Sequence, residues 1–101
     1  MKYSFTQIHA INVLGTISVH LYNLRSYAGE IIDGVNRGKL QHCKARRQGR
    51  ELAKEIDKYI SLACKIATKY LDGVNTECYK STIDLSAWMK YGEAVKTYFQ
   101  N

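Results

Sequence analysis

Apolar residues recur in alternating steps of four and three between positions 10 and 35 of the chain. This spacing places them on one face of an α-helix, whereas a strand would require a period of two. The members of this face are Ala10, Leu14, Ile17, Leu21, Leu24, Ala28, Ile31 and Val35. Ser4 followed by Gln7 has the spacing of a capping box, and Asp33-Gly34 is a stop signal because glycine tolerates the left-handed conformation that ends helices. A long first helix is therefore predicted.

A second long helix is predicted from about Asn36 or Lys39 to Asp72, where Asp72-Gly73 provides the next stop signal. Its apolar face also follows steps of four and three, through Leu52, Ile56, Tyr59, Ala63, Ile66 and Tyr70, and is widened by Ala53, Ile60 and Ala67. The opposite face is polar and mostly basic, with Lys44, Arg47, Glu51, Lys54, Lys58, Ser61, Lys65 and Lys69. This division is typical of a helix with one side in a core and one side in water.

A shorter third helix is predicted to open at Ser81 and Asp84, which again have a capping spacing. Its apolar face contains Leu85, Trp88, Gly92, Val95 and Phe99. With a turn near residues 34–38, the sequence predicts an all-α fold: an antiparallel hairpin of two long helices, with the third helix covering part of its groove.

The 101 residues correspond to about one domain, so residues 1–101 are predicted to form a single helical domain. Several apolar residues of the first helix lie off its main face, which makes the apolar surface wider than a two-helix contact needs. They include Phe5, Ile8, Ile11, Val13 and Val19. We predict that these five residues form the interface of a homodimeric bundle, because twofold dimers are the commonest closed assemblies.

Aromatic residues divide between the two predicted environments. Tyr59, Tyr70 and Trp88 fall on apolar faces, so they are predicted to be buried. The tyrosines that fall off these faces are predicted to be exposed, where they could stack on bases or anchor an interface; they are Tyr3, Tyr22, Tyr27 and Tyr79.

Residues 3–24 carry no formally charged side chain, which is about the length that crosses a bilayer. Polar residues such as Gln7, His9, Asn12 and Asn23 are spread along this window, so no membrane segment is predicted. The three cysteines form no Cys-x-x-Cys pair and suit a reducing compartment. We therefore expect a cytoplasmic protein with no metal and no cofactor.

The positive charge is concentrated in one segment. The chain has 15 Lys and Arg residues against 9 Asp and Glu, a net charge of +6. The stretch between positions 37 and 50 contains six basic residues and no acid, namely Arg37, Lys39, Lys44, Arg46, Arg47 and Arg50. Since guanidinium groups suit bidentate phosphate contacts, these residues are predicted to bind nucleic acid or another anionic surface. The competing interpretation is a solvated helix end that serves solubility.

No nucleophile constellation or glycine-rich phosphate loop is present, so binding without catalysis is the leading hypothesis. The alternative is an inhibitor or adaptor, of the kind that mobile elements encode, which binds a host protein and blocks its surface. A third hypothesis comes from Arg37 and His42, whose spacing resembles that of HEPN-type helical ribonucleases. That resemblance implies transition-state stabilisation by Arg37 and acid–base catalysis by His42 at a dimer interface. It covers six residues, and Gly38 stands where that family has a polar residue after the arginine.

Overall fold

A computed structural model describes residues 3–100 of the chain. The elements are α1 (Phe5–Asn36), α2 (His42–Tyr70), a 3₁₀ turn (Thr76–Cys78) and α3 (Leu85–Gln100), with no strand in the described range. The prediction of an all-helical fold with two long helices packed against each other is confirmed. The molecule is a rod 52 Å long and about 18 Å across. Within residues 3–100, no helix has both the length and the apolar composition needed to cross a membrane.

Helix α1 begins at the predicted capping box. The Ser4 hydroxyl accepts a hydrogen bond from the Gln7 amide at 3.1 Å, and the Gln7 side-chain oxygen accepts one from the Ser4 amide at 2.9 Å. The helix does not stop at Asp33-Gly34 but continues to Asn36. Gly38 supplies the positive φ of 71° for the turn instead. The apolar face is buried as predicted from Ala10 to Ala28.

Helix α2 begins later than predicted, at His42 rather than at Asn36 or Lys39. The Gln41 side chain makes no capping hydrogen bond, and the first turn contains no acidic residue. The first amides of α2 therefore lack both a side-chain cap and a compensating negative charge. At its other end α2 stops at Tyr70, and Gly73 has the positive φ expected of the predicted stop signal.

The buried face of α2 is rotated from the predicted one. Its members are Ala45, Gly49, Ala53, Ile56, Ile60, Ala63 and Ala67. Of the predicted face, Tyr59 is only half-buried and Tyr70 is exposed. The reason is that α2 is the central helix, which packs against α1 on one side and α3 on the other. Burial is therefore centred between the two contacts.

Helix α3 opens one turn later than the predicted capping box at Ser81 and Asp84 implies, and Asp84 itself is the capping residue. The Asp84 carboxylate accepts a hydrogen bond from the Ala87 amide at 3.1 Å, and the helix starts at Leu85. Trp88 is buried as predicted, and its ring makes edge contacts with Tyr22 at 5.0 Å and Tyr91 at 5.6 Å between centroids. The contact with Tyr22 joins the start of α3 to α1, whereas Tyr91 lies on α3 itself.

The connection between α2 and α3 contributes core residues. Leu71, Tyr79 and Ile83 are buried, so the prediction of an exposed Tyr79 is wrong. Burial raises the pKa of Tyr79 above its ordinary value, and the nearby thiols of Cys64 and Cys78 add to the shift. The segment closes the end of the hairpin that α3 does not reach, because α3 has half the length of α1.

Candidate anion-binding groove between α2 and α3

The structure divides the six predicted anion-binding residues into three groups. Arg37 and Lys39 lie at the turn that follows α1. The Arg37 guanidinium forms an exposed ion pair with Asp33 at 3.1 Å, one turn back along α1. Lys39 is held in the turn by a hydrogen bond from its amide to the Gly34 carbonyl at 2.8 Å. The longer predicted helix would have included these residues in the basic face of α2, but both lie before the helix begins.

Lys44 and Arg47 form the second group. Both are exposed, and they follow the outward face of α2 away from the core. Arg46 and Arg50 form the third group, since a separation of four residues places them on one side of the helix. Both face the side of α2 on which α3 packs.

A groove of about 520 Å³ lies between α2 and α3. Its basic lining comes from both helices: Arg50 and Lys54 from α2, and Lys96 from α3, with one acid, Asp57. Among residues 3–100, no ion pair within 4.0 Å involves Arg50, Lys54 or Lys96. Three cations therefore share an open groove in which one carboxylate offsets part of their charge. We call this site the basic groove.

A smaller pocket of about 260 Å³ adjoins the basic groove at the tip of the molecule. His42, Arg46 and Tyr98 provide its polar lining, and Val35, Ala45 and Phe99 its apolar lining. The pocket lies at the N-terminus of α2, where the helix dipole is equivalent to roughly half a positive charge. The uncapped amides of α2 thus add to the positive potential of the side chains around them.

No family model, curated protein or solved structure matches this chain. Function must therefore be argued from the arrangement of the residues themselves.

Lys54 and Lys96 were absent from the predicted site. Lys54 could have been found, because it follows Arg50 by four residues on the same helix face. Lys96 lies 46 residues after Arg50 in the sequence, and only the packing of α3 brings the two together.

The residues of the other sequence hypotheses lie outside the basic groove. Arg37 is not among the residues that line the pocket containing His42. Within residues 3–100, no group of three or more His, Cys, Asp or Glu side chains is arranged to hold a metal ion. The described cysteines are all free thiols, and burial raises the pKa of the Cys64 thiol.

The five predicted dimer-interface residues do not share one environment. Phe5, Ile8 and Val19 are exposed, at 88%, 46% and 62%, on the outer face of α1. Ile11 and Val13 are partly buried against the core of their own chain. A partner that used the outer face of α1 would therefore reach three of the five residues.

Replacing Gln41 with aspartate is expected to increase stability while weakening anion binding. An N-cap aspartate supplies the missing hydrogen bond and a favourable charge, worth about 1 kcal/mol. The same charge, next to His42 of the smaller pocket, opposes an anion that reaches the N-terminus of α2. Thermal unfolding followed by circular dichroism, together with nucleic-acid binding by fluorescence anisotropy, measures both effects.

The matched control for this change is Thr6→Asp, which adds an acid to the first turn of α1. That turn also contains no acid, but it lies at the opposite end of the rod. Thr6→Asp should increase stability and leave binding unchanged. Equal binding by the two variants would show that the N-terminus of α2 does not contribute to the site.

Proposed function

We propose that this protein is a non-catalytic, cytoplasmic nucleic-acid-binding protein that contacts phosphates in the basic groove. One observation carries the proposal: Arg50, Lys54 and Lys96 converge from two helices on one open groove and have no ion-pair partner within residues 3–100. Arg46 extends this surface by one turn toward the tip, and Arg47 lies beside it on the outward face of α2. Neighbouring cations repel one another and so do not stabilise the fold. Their grouping therefore favours the binding of an anionic ligand.

The chemistry of the groove favours a phosphate backbone. Arginine binds phosphate oxygens through a planar, bidentate fork, and lysine binds them as a point charge. Each phosphate that is neutralised releases condensed counterions, which drives binding without reading the base sequence. The groove offers few neutral polar side chains for base edges, so we expect affinity to depend on charge more than on sequence.

A salt titration tests the proposal directly. If the five cations Arg46, Arg47, Arg50, Lys54 and Lys96 each neutralise one phosphate, log K should fall against log salt with a slope of about −4.5 for duplex DNA and about −3.5 for a single strand. Replacing Arg46, Arg47 and Arg50 with alanine should reduce the duplex slope to about −2. Fluorescence anisotropy with labelled oligonucleotides gives both slopes.

A matched triple variant controls for net charge. Lys65, Lys80 and Lys90 are exposed and lie outside the basic groove, so their replacement by alanine removes the same charge from other surfaces. This variant should keep a slope near that of the original protein. Equal slopes for the two triple variants, or the absence of binding at low salt, would refute the proposal.

An inhibitor or adaptor that binds a protein is the second candidate function. It is favoured by the exposure of Phe5 and Val19, large apolar side chains on the outer face of α1. This function predicts a stoichiometric complex that survives nuclease treatment and that is lost in Phe5→Ser and Val19→Ser variants. Retention of that complex in both variants would exclude this face as its binding site.

A further inference from the structure

The side of the α1–α2 hairpin opposite α3 is an uncovered groove along the length of the rod. Two cavities lie in it, of about 370 and 440 Å³, and both are lined only by residues of α1 and α2. The ring contact between His20 and Tyr59, at 4.3 Å between centroids, lies between them. We call this surface the open face.

The open face has an apolar floor. Near the N-terminus of α1, Val13 and Ile66 line the first cavity. Near the turn, Ile31 and Leu52 line the second. Leu62 lies three residues after Tyr59 and four before Ile66, a spacing that places all three on one helix face, and it is 43% exposed. An apolar strip of this length is normally covered by another helix.

Charge is distributed unevenly along the open face. The cavity near the turn has three acidic residues in its lining, Glu30, Glu51 and Glu55. The cavity at the other end has His9 in its lining, and Lys69 lies beside it with its ammonium group 5.2 Å from the centroid of Tyr70. One end of the surface is therefore acidic, and the other carries the ammonium group of Lys69.

We propose that a second copy of this chain covers the open face, in the antiparallel orientation, and forms a four-helix interface around a twofold axis. The axis lies at the level of the His20–Tyr59 contact. Glu51 and Lys69 are each nine residues from position 60, which is about 14 Å on either side of the axis. Glu30 and His9 lie ten and eleven residues from His20 on α1. One axis thus places Glu51 of each copy opposite Lys69 of the other, and on α1 it places the carboxylate of Glu30 opposite the ring of His9.

The alternative twofold arrangement is disfavoured by the same charges. If the two hairpins ran parallel, the acidic end of each copy, with Glu30, Glu51 and Glu55, would lie over the same acidic end of the other copy. Like charges held opposite each other disfavour association. In the antiparallel arrangement the acidic end of each copy lies over the basic end of the other, and the apolar strips meet at the centre.

The size of the open face is sufficient for a stable dimer. A surface that extends along a rod 52 Å long and about 18 Å wide can bury roughly the 800 Å² per partner that stable interfaces require. Since the basic groove lies between α2 and α3, it remains accessible on each copy. The inference does not depend on nucleic-acid binding, but if both hold, the dimer carries two basic grooves.

The mass of the nuclease-treated protein, measured by light scattering over a dilution series, tests the dimer. The original protein should have twice the chain mass at high concentration. Leu62→Glu should raise the dimer dissociation constant at least tenfold while circular dichroism remains helical, because the side chain is exposed in the single chain. Val19→Glu, on the outer face of α1, is the matched control and should remain dimeric.

A charge exchange tests the orientation. Glu51→Lys and Lys69→Glu should each weaken the dimer, and the double variant should restore it, because each copy then again presents opposite charges. A monomer at every concentration would overturn the proposal, as would dissociation by Val19→Glu but not by Leu62→Glu. Failure of the double variant to regain dimer mass would overturn the antiparallel arrangement.

Discussion

Replacing Gly49 with alanine is expected to destabilise the protein by about 2 kcal/mol, although alanine normally favours a helix. Gly49 is buried in the second turn of α2, and a Cβ atom built there would overlap the ring of Phe99 in α3. Forcing extra volume into a packed contact costs about 1–3 kcal/mol, and direct overlap with a ring places the cost at this site near about 3 kcal/mol. Alanine regains about 1 kcal/mol of helix propensity, which leaves a net loss of about 2 kcal/mol. The melting temperature should fall by about 10 °C.

Gly29 provides the matched control. It lies in α1, and a Cβ atom there would have no neighbour within 4 Å. Gly29→Ala should therefore increase stability by up to about 1 kcal/mol. Combining Gly49→Ala with Phe99→Leu should cost less than the sum of the two single changes, because both act on one contact. Strict additivity, or a Gly49→Ala variant as stable as the original, would show that α2 and α3 do not approach at this point.

Local signals were sufficient to predict α1. The capping box at Ser4 and Gln7 acts over three residues, and the face from Ala10 to Ala28 depends only on the repeat of one helix. Both are therefore contained in the sequence near each residue. The end of α1 was less well predicted, because two glycines, Gly34 and Gly38, offered a turn, and the chain uses the second.

Properties that depend on two helices at once could not be predicted from one helix. The buried face of α2 is set by contacts with both α1 and α3, so Tyr70 is exposed although it continues the apolar repeat. Tyr79 is buried because the connection folds back onto the core, and no periodic pattern marks that connection. By helix propensity alone Gly49 weakens α2, whereas the structure shows that its missing side chain leaves room for Phe99.

The candidate site was also predictable within one helix and not where two helices meet. The basic segment was visible as a run of six cations without an acid, but the run does not form one surface. Arg37 turns back to Asp33, while Lys96, far away in the sequence, joins Arg50. A count of charges along the chain therefore locates the site only approximately, and the approach of α3 at Gly49 determines its composition.

Reversing the charge of Arg50 and Lys96 together is expected to reduce nucleic-acid affinity about a hundredfold or more. At about 0.1 M salt each neutralised phosphate contributes on the order of tenfold in affinity through counterion release, so two lost contacts account for about a hundredfold. The two new carboxylates add repulsion in the same groove. Arg50→Glu and Lys96→Glu should act in the same direction although they lie on different helices.

The control is Lys65→Glu combined with Lys90→Glu, which changes the net charge equally on exposed positions of the same two helices. If long-range attraction alone held the nucleic acid, both double variants would weaken binding to the same extent and added salt would remove the difference from the original protein. If phosphates sit in the groove, the Arg50 and Lys96 variant should lose far more affinity, and its salt slope should be shallower by about 2. Anisotropy titrations at three salt concentrations distinguish the two cases, because only local contact changes the slope in one variant and not in the other.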